Sequence, residues 1–128
     1  MKIAIIAHDG KKAQMVQFLY GFKQFLDKID VVATGTTGTY VENAGISVHK
    51  VLSGPLGGDA QIATMLVEKK IDLVVFFIDP LDRHPHEPDI NMLLRLANVH
   101  NIPLATNPAS AELIIKSMIE KRLGEELN

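Results

Sequence analysis

The sequence predicts an α/β fold: a doubly wound (Rossmann-like or flavodoxin-like) parallel sheet of about five strands, flanked by helices. Short β-rich runs alternate with segments of helical apolar spacing along the whole chain. The run Leu73 to Ile78 is apolar at every position. A central strand of a parallel sheet needs this composition, because helices cover both of its faces.

The first part of the chain predicts two strands and two helices. Lys2 to Ala7 is β-rich and predicts the first strand. Apolar residues at helical spacing from Met15 to Leu26 predict an amphipathic helix. Asp30 to Thr34 predicts the second strand, and Gly35 to Gly38 forms a turn before a short helix that runs to about Ala44.

The middle of the chain repeats this order. Ser47 to Leu52 alternates polar and apolar residues and predicts a third strand. Pro55 and the Gly57-Gly58 pair indicate a loop, and Asp59 begins a helix that continues through Leu66. The apolar run described above is the fourth strand.

The last part of the chain begins with a proline-rich loop. Pro88 suits the first turn of a helix, and the apolar face of that helix extends from Leu93 to His100. Ile102 to Thr106 predicts the last strand, and Ser110 to about Lys121 predicts the last helix.

Composition and charge exclude several classes of function. With 128 residues, we expect one domain over residues 1–128. The absence of cysteine excludes disulfides, thiolate metal sites and cysteine nucleophiles, and a net charge of -2 gives no basic excess for nucleic acid. Leu73 to Ile78 is the longest apolar run and is far too short to cross a bilayer, and the amino terminus has no signal-peptide core. We therefore expect a cytoplasmic protein with no nucleic-acid or membrane partner.

Short polar residues concentrate where the predicted strands end. In doubly wound sheets, ligands bind beyond the carboxyl ends of the strands, so these residues are expected to face one crevice. In strand order they are His8 and Asp9; Thr34 to Gly38; Ser53, Gly54, Gly57, Gly58 and Asp59; Asp79, His84, His86 and Asp89; and Thr106 and Asn107.

Two of these loops have the composition of anion-binding turns. The turns Thr34 to Gly38 and Ser53-Gly54 combine glycines, which allow close backbone approach, with hydroxyl donors at helix amino termini. Lys12 could add a positive charge. The same residues also suit ordinary tight turns with helix caps. Neither segment matches a nucleotide-binding fingerprint, so a mononucleotide or dinucleotide site is not supported.

The candidate acid–base residues each have two interpretations. Asp59 suits a helix cap or a general base that is ionised at neutral pH. His86 beside Asp89 suits either a surface histidine next to a cap or an imidazole that a carboxylate holds in one tautomer. A metal site built from His84, His86, Asp89 and His8 is a further alternative.

Seven ordered segments together resemble the methylglyoxal synthase family, over about residues 1–118. The segments are Ala7 to Asp9, Ala33 to Gly38, Ser53 to Asp59, Phe76 to Leu81, Pro85 to Asp89, Leu93 to Ala97 and Ile102 to Asn107.

The resemblance implies conversion of dihydroxyacetone phosphate to methylglyoxal and inorganic phosphate in a homohexamer, without metal or organic cofactor. Asp59 falls on the family's catalytic base. His86 would donate a hydrogen bond to the enediolate, Asp89 would orient it, and His8 would be a second donor or proton carrier. Asp9 and Asp79 would hold substrate hydroxyls or the histidines.

The resemblance also implies a phosphate subsite, at which product phosphate would inhibit. It is formed by His8, Lys12, Thr34, Thr36, Thr37, Ser53, Gly54 and His86.

Some family members have an arginine-bearing carboxyl-terminal arm. Arg122 cannot be matched to that arm, and His84 has no assigned role. The domain also resembles non-catalytic regulatory modules that bind a phosphorylated effector, such as the one in carbamoyl phosphate synthetase. A binding module does not need Asp59, His86 and Asp89 together, so their joint presence favours the enzyme.

Overall fold

The computed structural model describes residues 1–81 and 90–127, and its described elements confirm the predicted alternation of strands and helices. The strands are β1 Lys2–Ala7, β2 Asp30–Ala33, β3 His49–Lys50, β4 Leu73–Phe77 and β5 Leu104–Ala105. The α-helices are α1 Lys12–Tyr20, α2 Gly35–Asn43, α3 Gly58–Val67, α4 Ile90–His100 and α5 Pro108–Leu127. Short 3₁₀ helices span Asp9–Lys11, Lys23–Lys28 and Gly54–Leu56.

The five strands form one all-parallel sheet in the order β3-β2-β1-β4-β5. This is a Rossmann order and not the flavodoxin order, so the structure selects between the two arrangements that the sequence left open. The chain moves outward from β1 to β3, then returns to the other side of β1 as β4. The direction of winding therefore reverses between β1 and β4, and a crevice for ligands is expected there.

Alternate residues of the strands face two apolar cores. On one face, Ile3 and Ile5 of β1 pack with buried residues of α1, α2 and α5. On the other face, Ala4 and Ile6 pack with buried residues of α3 and α4. Every residue of β4 is buried, as its continuous apolar composition predicted.

The first helix is shorter than the sequence predicted. It ends at Tyr20, next to Gly21, and a 3₁₀ helix follows over Lys23–Lys28. Glycine is a poor helix former, so the α-helix stops although the apolar spacing continues. Phe22 is nevertheless buried in the core and Leu26 packs against it, which confirms their predicted inward position.

The edge strands are also shorter than predicted, and α5 is longer. Ile102 donates its backbone N–H to the Ala97 carbonyl (2.9 Å) and so closes α4 before β5 begins. The Asn107 side chain accepts the Ser110 N–H at 2.9 Å and caps α5, with Pro108 in its first turn. None of the helices in the described ranges is long and apolar enough to cross a membrane.

Candidate functional site

His8 lies at the point where β1 and β4 end. Its side chain is buried, its backbone N–H donates to the Phe77 carbonyl, and its ring meets the Phe76 ring edge-on. Its Nδ1 accepts the backbone N–H of Asp79 at 2.9 Å. Because a backbone N–H can only donate, the neutral imidazole must carry its proton on Nε2. His8 is thereby held in the tautomer that can donate a hydrogen bond from Nε2.

Asp79 faces the loop after β1. Its Oδ1 accepts the Leu81 N–H at 3.0 Å, which turns the chain at the end of β4. A methyl group added at Gly10 would come within 2.6 Å of Asp79 Oδ2, so the carboxylate occupies space that this glycine leaves open. Asp79 therefore positions His8 through its backbone amide, while its carboxylate packs on the neighbouring loop.

Lys12 places a buried ammonium group at the end of β1. Its Nζ donates to the Ala7 carbonyl at 2.9 Å and to Asp9 Oδ1 at 2.8 Å. The Lys12 side chain is 7% exposed, whereas the Asp9 side chain is 76% exposed. A buried charge needs compensating partners, and both partners of this one lie at the carboxyl edge of the sheet. Lys12 therefore places a buried positive charge, paired with an exposed carboxylate, at the carboxyl edge of the sheet.

The predicted turn at Gly35 to Gly38 is instead the start of α2, with Thr34 as the residue before the helix. The threonines of this segment divide into buried and exposed groups. Thr37 is buried, and its hydroxyl accepts the Ala7 N–H at 3.2 Å, which replaces a strand partner where β2 has ended. Thr34, also buried, lies 3.4 Å from it, hydroxyl to hydroxyl. Thr36 is exposed in the first turn of α2. The start of α2 thus offers one exposed threonine at a helix amino terminus, where anions bind favourably.

The backbone of Leu52 joins the polar loops. Its carbonyl accepts the Gly35 N–H at 3.2 Å, at the start of α2. A methyl group added at Gly58 would lie 1.8 Å from the same oxygen, so α3 begins in direct contact with it. The Leu52 N–H donates to Gln61 Oε1 at 2.7 Å.

The Ser53-Gly54 turn follows directly from Leu52. The Ser53 carbonyl accepts the N–H groups of Leu56 (3.0 Å) and Gly58 (2.9 Å), which closes a tight turn against the start of α3. A methyl group added at Gly35 would be 3.1 Å from the Ser53 nitrogen. The two predicted anion-binding turns are therefore in contact through their backbones.

Asp59 lies on the first turn of α3, one residue after the close contact at Gly58. It is half-buried, and its Oδ1 accepts the Ala60 N–H at 2.9 Å. The left-handed backbone of Gly57 (φ 102°) allows the sharp entry into this helix. Asp59 thus lies at the start of the helix whose first residue, Gly58, contacts the Leu52 and Ser53 backbones.

The structure brings most of the predicted site residues to one edge of the sheet. These are His8, Asp9, Lys12, Thr34, Thr36, Thr37, Ser53, Gly54, Asp59 and Asp79. His84, His86 and Asp89 lie outside the described residues. Arg122 is exposed on α5. Within residues 1–81 and 90–127, no group of three or more side chains could hold a metal ion, and of the metal-site alternative only His8 is described.

Sequence reasoning missed the contributions of Leu52 and Gln61. Leu52 acts through backbone atoms, and no side-chain pattern reports those. Gln61 follows Asp59 by two residues and carries no signal of its own. For Gly58 a signal was present, because a glycine at a helix start permits close backbone packing, but the sequence indicated only a loop.

A cleft of about 540 Å³ lies elsewhere, near the amino-terminal ends of β2 and β3. Lys2, Asp30 and His49 are among its lining residues. No predicted site residue within 1–81 or 90–127 lines it. The candidate site is therefore defined by converging polar groups and not by this cleft.

Comparison with known proteins gives concordant results. The family model described as MGS-like domain matches residues 14–106. Over 119 residues the chain is 56% identical to the methylglyoxal synthase of Caldicellulosiruptor saccharolyticus, covering 92% of this chain and 84% of that protein. It is 55% identical to the methylglyoxal synthase of Clostridium beijerinckii, covering 91% of this chain and 98% of that protein.

The crystal structure of methylglyoxal synthase from Elizabethkingia anophelis NUHP1 superimposes with a TM-score of 0.84 at 42% sequence identity, covering 88% of this chain and 75% of that one. Family model, sequence relatives and solved structure agree on the family, and the solved structure agrees with the α/β fold described above. The chain belongs to the methylglyoxal synthase family.

Proposed function

We propose that the chain is a lyase that converts dihydroxyacetone phosphate to methylglyoxal and inorganic phosphate. The observation that carries this proposal is the junction at Leu52, whose carbonyl contacts the start of α3, the helix that carries Asp59, and accepts the Gly35 N–H at the start of α2. A base next to a phosphate subsite is what this reaction requires. The relatives named methylglyoxal synthase favour this reaction over the non-catalytic effector module.

The reaction begins with proton abstraction. The Asp59 carboxylate removes a proton from the hydroxymethyl carbon beside the ketone, and the electron pair forms the double bond of an enediolate. The hydroxyl proton on the carbon that was deprotonated passes to the other enediolate oxygen, and the oxygen left behind forms the aldehyde carbonyl. The carbon–carbon double bond then shifts to the phosphate-bearing carbon as the bond from that carbon to the phosphate oxygen breaks. Phosphate leaves with the bonding electrons, and the remaining enol takes up a proton to give methylglyoxal.

The enediolate oxygens need hydrogen-bond donors. His8 suits this role because the Asp79 amide holds it in the tautomer with a proton on Nε2. We assign His86 as the principal donor, oriented by Asp89, from the family resemblance. Asp9 and Asp79 then act by holding Lys12 and His8 respectively.

The phosphate group is assigned to the Lys12 ammonium and the two turns. Thr34, Thr36 and Thr37 belong to the first turn, and Ser53 and Gly54 belong to the second. His8 and His86 are assigned next to these turns. Elimination is fast only when the carbon–oxygen bond to phosphate stands out of the enediolate plane. A cradle that holds the phosphate group in that orientation would therefore favour elimination. Product phosphate would compete for the same cradle and inhibit.

The remaining proposals come from the family resemblance. We propose a homohexamer in the cytoplasm, formed by a chain that is one domain over residues 1–128. No cofactor is assigned.

The test is a paired assay with purified protein and dihydroxyacetone phosphate, in which methylglyoxal and free phosphate are followed together. We expect equal release of both. In Asp59→Asn, turnover should fall by about 10²–10⁴-fold, since a neutral amide cannot accept the proton, while KM stays near its wild-type value.

Each other outcome contradicts part of the proposal. Phosphate release without methylglyoxal would indicate a phosphatase, and dialysis against a chelator would then test the metal alternative. Saturable binding of phosphorylated ligands without release would indicate a regulatory module. A raised KM with unchanged turnover in Asp59→Asn would exclude Asp59 as the base.

A further inference from the structure

We propose that Gln61 is a positioning residue for the phosphate cradle, which it holds in place relative to the base through the backbone of Leu52. The inference rests on the proposed function. Gln61 Oε1 accepts the Leu52 N–H at 2.7 Å, across nine positions of the chain. The segment closed by this bond contains Ser53, Gly54 and Asp59.

The position of Leu52 in the sheet explains why the bond matters. One residue earlier, the Val51 N–H still donates to the Ala33 carbonyl of β2 at 2.8 Å. At Leu52 the chain leaves the sheet, and the Gln61 side chain takes over as the acceptor. The loop that carries the Ser53-Gly54 turn is therefore tied at its start to α3, the helix that carries Asp59.

The backbone of Gln61 is held in the first turn of α3, so its side chain can fix the position of Leu52 relative to that helix. Its backbone N–H donates to the Gly57 carbonyl at 3.1 Å, in the first turn of α3. Its side chain then reaches back to Leu52, whose carbonyl holds the Gly35 N–H of the other turn. One side-chain bond thus connects the base-bearing helix with both anion-binding turns.

Loss of this bond should affect ligand affinity more than folding. The Gln61 bond lies at an exposed position, and the Leu52 side chain is 50% exposed, so water can satisfy the Leu52 N–H when the glutamine is absent. What water cannot replace is the fixed distance between the turn and α3. A looser cradle must be ordered each time that a phosphate group binds, whether it belongs to substrate or product.

The experiment compares Gln61→Met, which keeps the length and helix propensity but lacks the acceptor, with Gln61→Glu, which keeps an acceptor oxygen. Gln17→Met, at an exposed glutamine of α1, is the matched control. For each protein we would measure kcat and KM with dihydroxyacetone phosphate, the inhibition constant of inorganic phosphate, and Tm. Isothermal titration with inorganic phosphate gives the affinity without turnover.

In Gln61→Met, KM and the phosphate inhibition constant should rise together by about 3- to 10-fold, the range that one lost hydrogen bond supports. The turnover number should stay within about twofold, because uniform binding is what is lost. Gln61→Glu should bind phosphate more tightly than Gln61→Met. This comparison is strict, because the negative charge of the glutamate repels the phosphate anion and so works against the expected result.

A merely structural role would lower the active fraction and therefore kcat, with KM and the inhibition constant unchanged, and that result overturns the inference. Equal weakening in Gln61→Glu and Gln61→Met, or in the Gln17→Met control, also overturns it. Failure of the proposed function looks different, because the wild type would then form no methylglyoxal. The titration with phosphate would still decide the role of Gln61.

Discussion

Gly58 lies so close to the Leu52 carbonyl that even one methyl group has no room there. An added Cβ would be 1.8 Å from the oxygen and 2.7 Å from its carbon, both of which are backbone atoms that cannot rotate away. In Gly58→Ala the start of α3 must shift, and Asp59 shifts with it. Because misplacement by about 1 Å costs roughly 100-fold, we expect a drop of that size in kcat/KM, together with a lower Tm.

Gly124 is the matched control for that substitution. It lies in α5, and a methyl group added to it would meet no atom within 4 Å. Alanine is the better helix former by about 1 kcal/mol, so Gly124→Ala should raise Tm by a few degrees with unchanged kcat/KM. Wild-type kcat/KM in Gly58→Ala would contradict the close contact.

The neighbouring threonines separate a structural hydroxyl from an exposed one. Thr37→Val keeps the shape of the side chain but leaves the buried Ala7 N–H without its 3.2 Å acceptor. We expect a loss of about 1–3 kcal/mol in the free energy of unfolding, measured by urea denaturation. Thr36→Val should change it by less than about 0.5 kcal/mol, because that hydroxyl is exposed. Equal losses in both variants would refute this difference.

At the scale of elements, α2, α3 and α4 all end in the same way. In each, a left-handed residue follows the last turn, and the next N–H donates five residues back: Ile46 to Val41, Lys70 to Met65 and Ile102 to Ala97. The left-handed residues are Gly45 (φ 86°), Lys69 (φ 58°) and Asn101 (φ 56°). This Schellman arrangement satisfies terminal carbonyls and turns the chain toward the next strand.

The identity of the left-handed residue gives a paired prediction. Lys69 adopts a backbone conformation that costs an ordinary side chain roughly 1 kcal/mol, whereas Gly45 adopts it freely. Lys69→Gly should therefore raise Tm, and Gly45→Ala should lower it by about 3–6 °C. Calorimetry of both variants at one pH tests the pair. A lower Tm for Lys69→Gly would show that unfolded-chain entropy outweighs the relieved strain.

These helix ends also show what local pattern could and could not predict. The sequence predicted every β-strand and α-helix of the described ranges but none of the 3₁₀ helices. Apolar patterns carried several of these predictions, because burial on one or two faces leaves a periodic pattern in the sequence. The predicted bounds were wrong at the end of the first helix and for β3, β5 and α5. They were also wrong at the start of α2, which includes the residues Gly35 to Gly38 that were predicted as a turn. The end of the first helix depended on one glycine, and the start of β5 depended on a backbone bond between Ile102 and Ala97.

At the scale of the whole molecule, strand order governed which loops meet. The sequence indicated a doubly wound sheet but not the order β3-β2-β1-β4-β5, since order depends on contacts between distant segments. His8 and Asp79 are 71 positions apart and meet only because β1 pairs with β4. Most candidate residues of the described ranges were predictable as polar residues that follow the ends of strands, in loops or in the first turn of the next helix. Their mutual contacts through the Leu52 backbone were not, because backbone atoms are the same at every position.

The proposed cradle draws on three separate parts of the chain, so phosphate that binds there should stabilise the whole fold. A ligand that binds only the native state stabilises it by about 2.7 kcal/mol at 100 times its Kd, which corresponds to roughly 8–15 °C in Tm. We therefore expect Tm to rise with inorganic phosphate and to change little with sodium chloride at equal ionic strength.

Lys12→Met tests whether the buried ammonium group carries this effect. The variant removes the positive charge that lies between the Ala7 carbonyl and Asp9, so the rise in Tm with phosphate should shrink to less than about a third. Each rise is taken from the variant's own Tm without phosphate, which separates ligand binding from any change in intrinsic stability. An equal rise in both proteins would mean that phosphate binds elsewhere, and the assignment of Lys12 to the cradle would then be wrong.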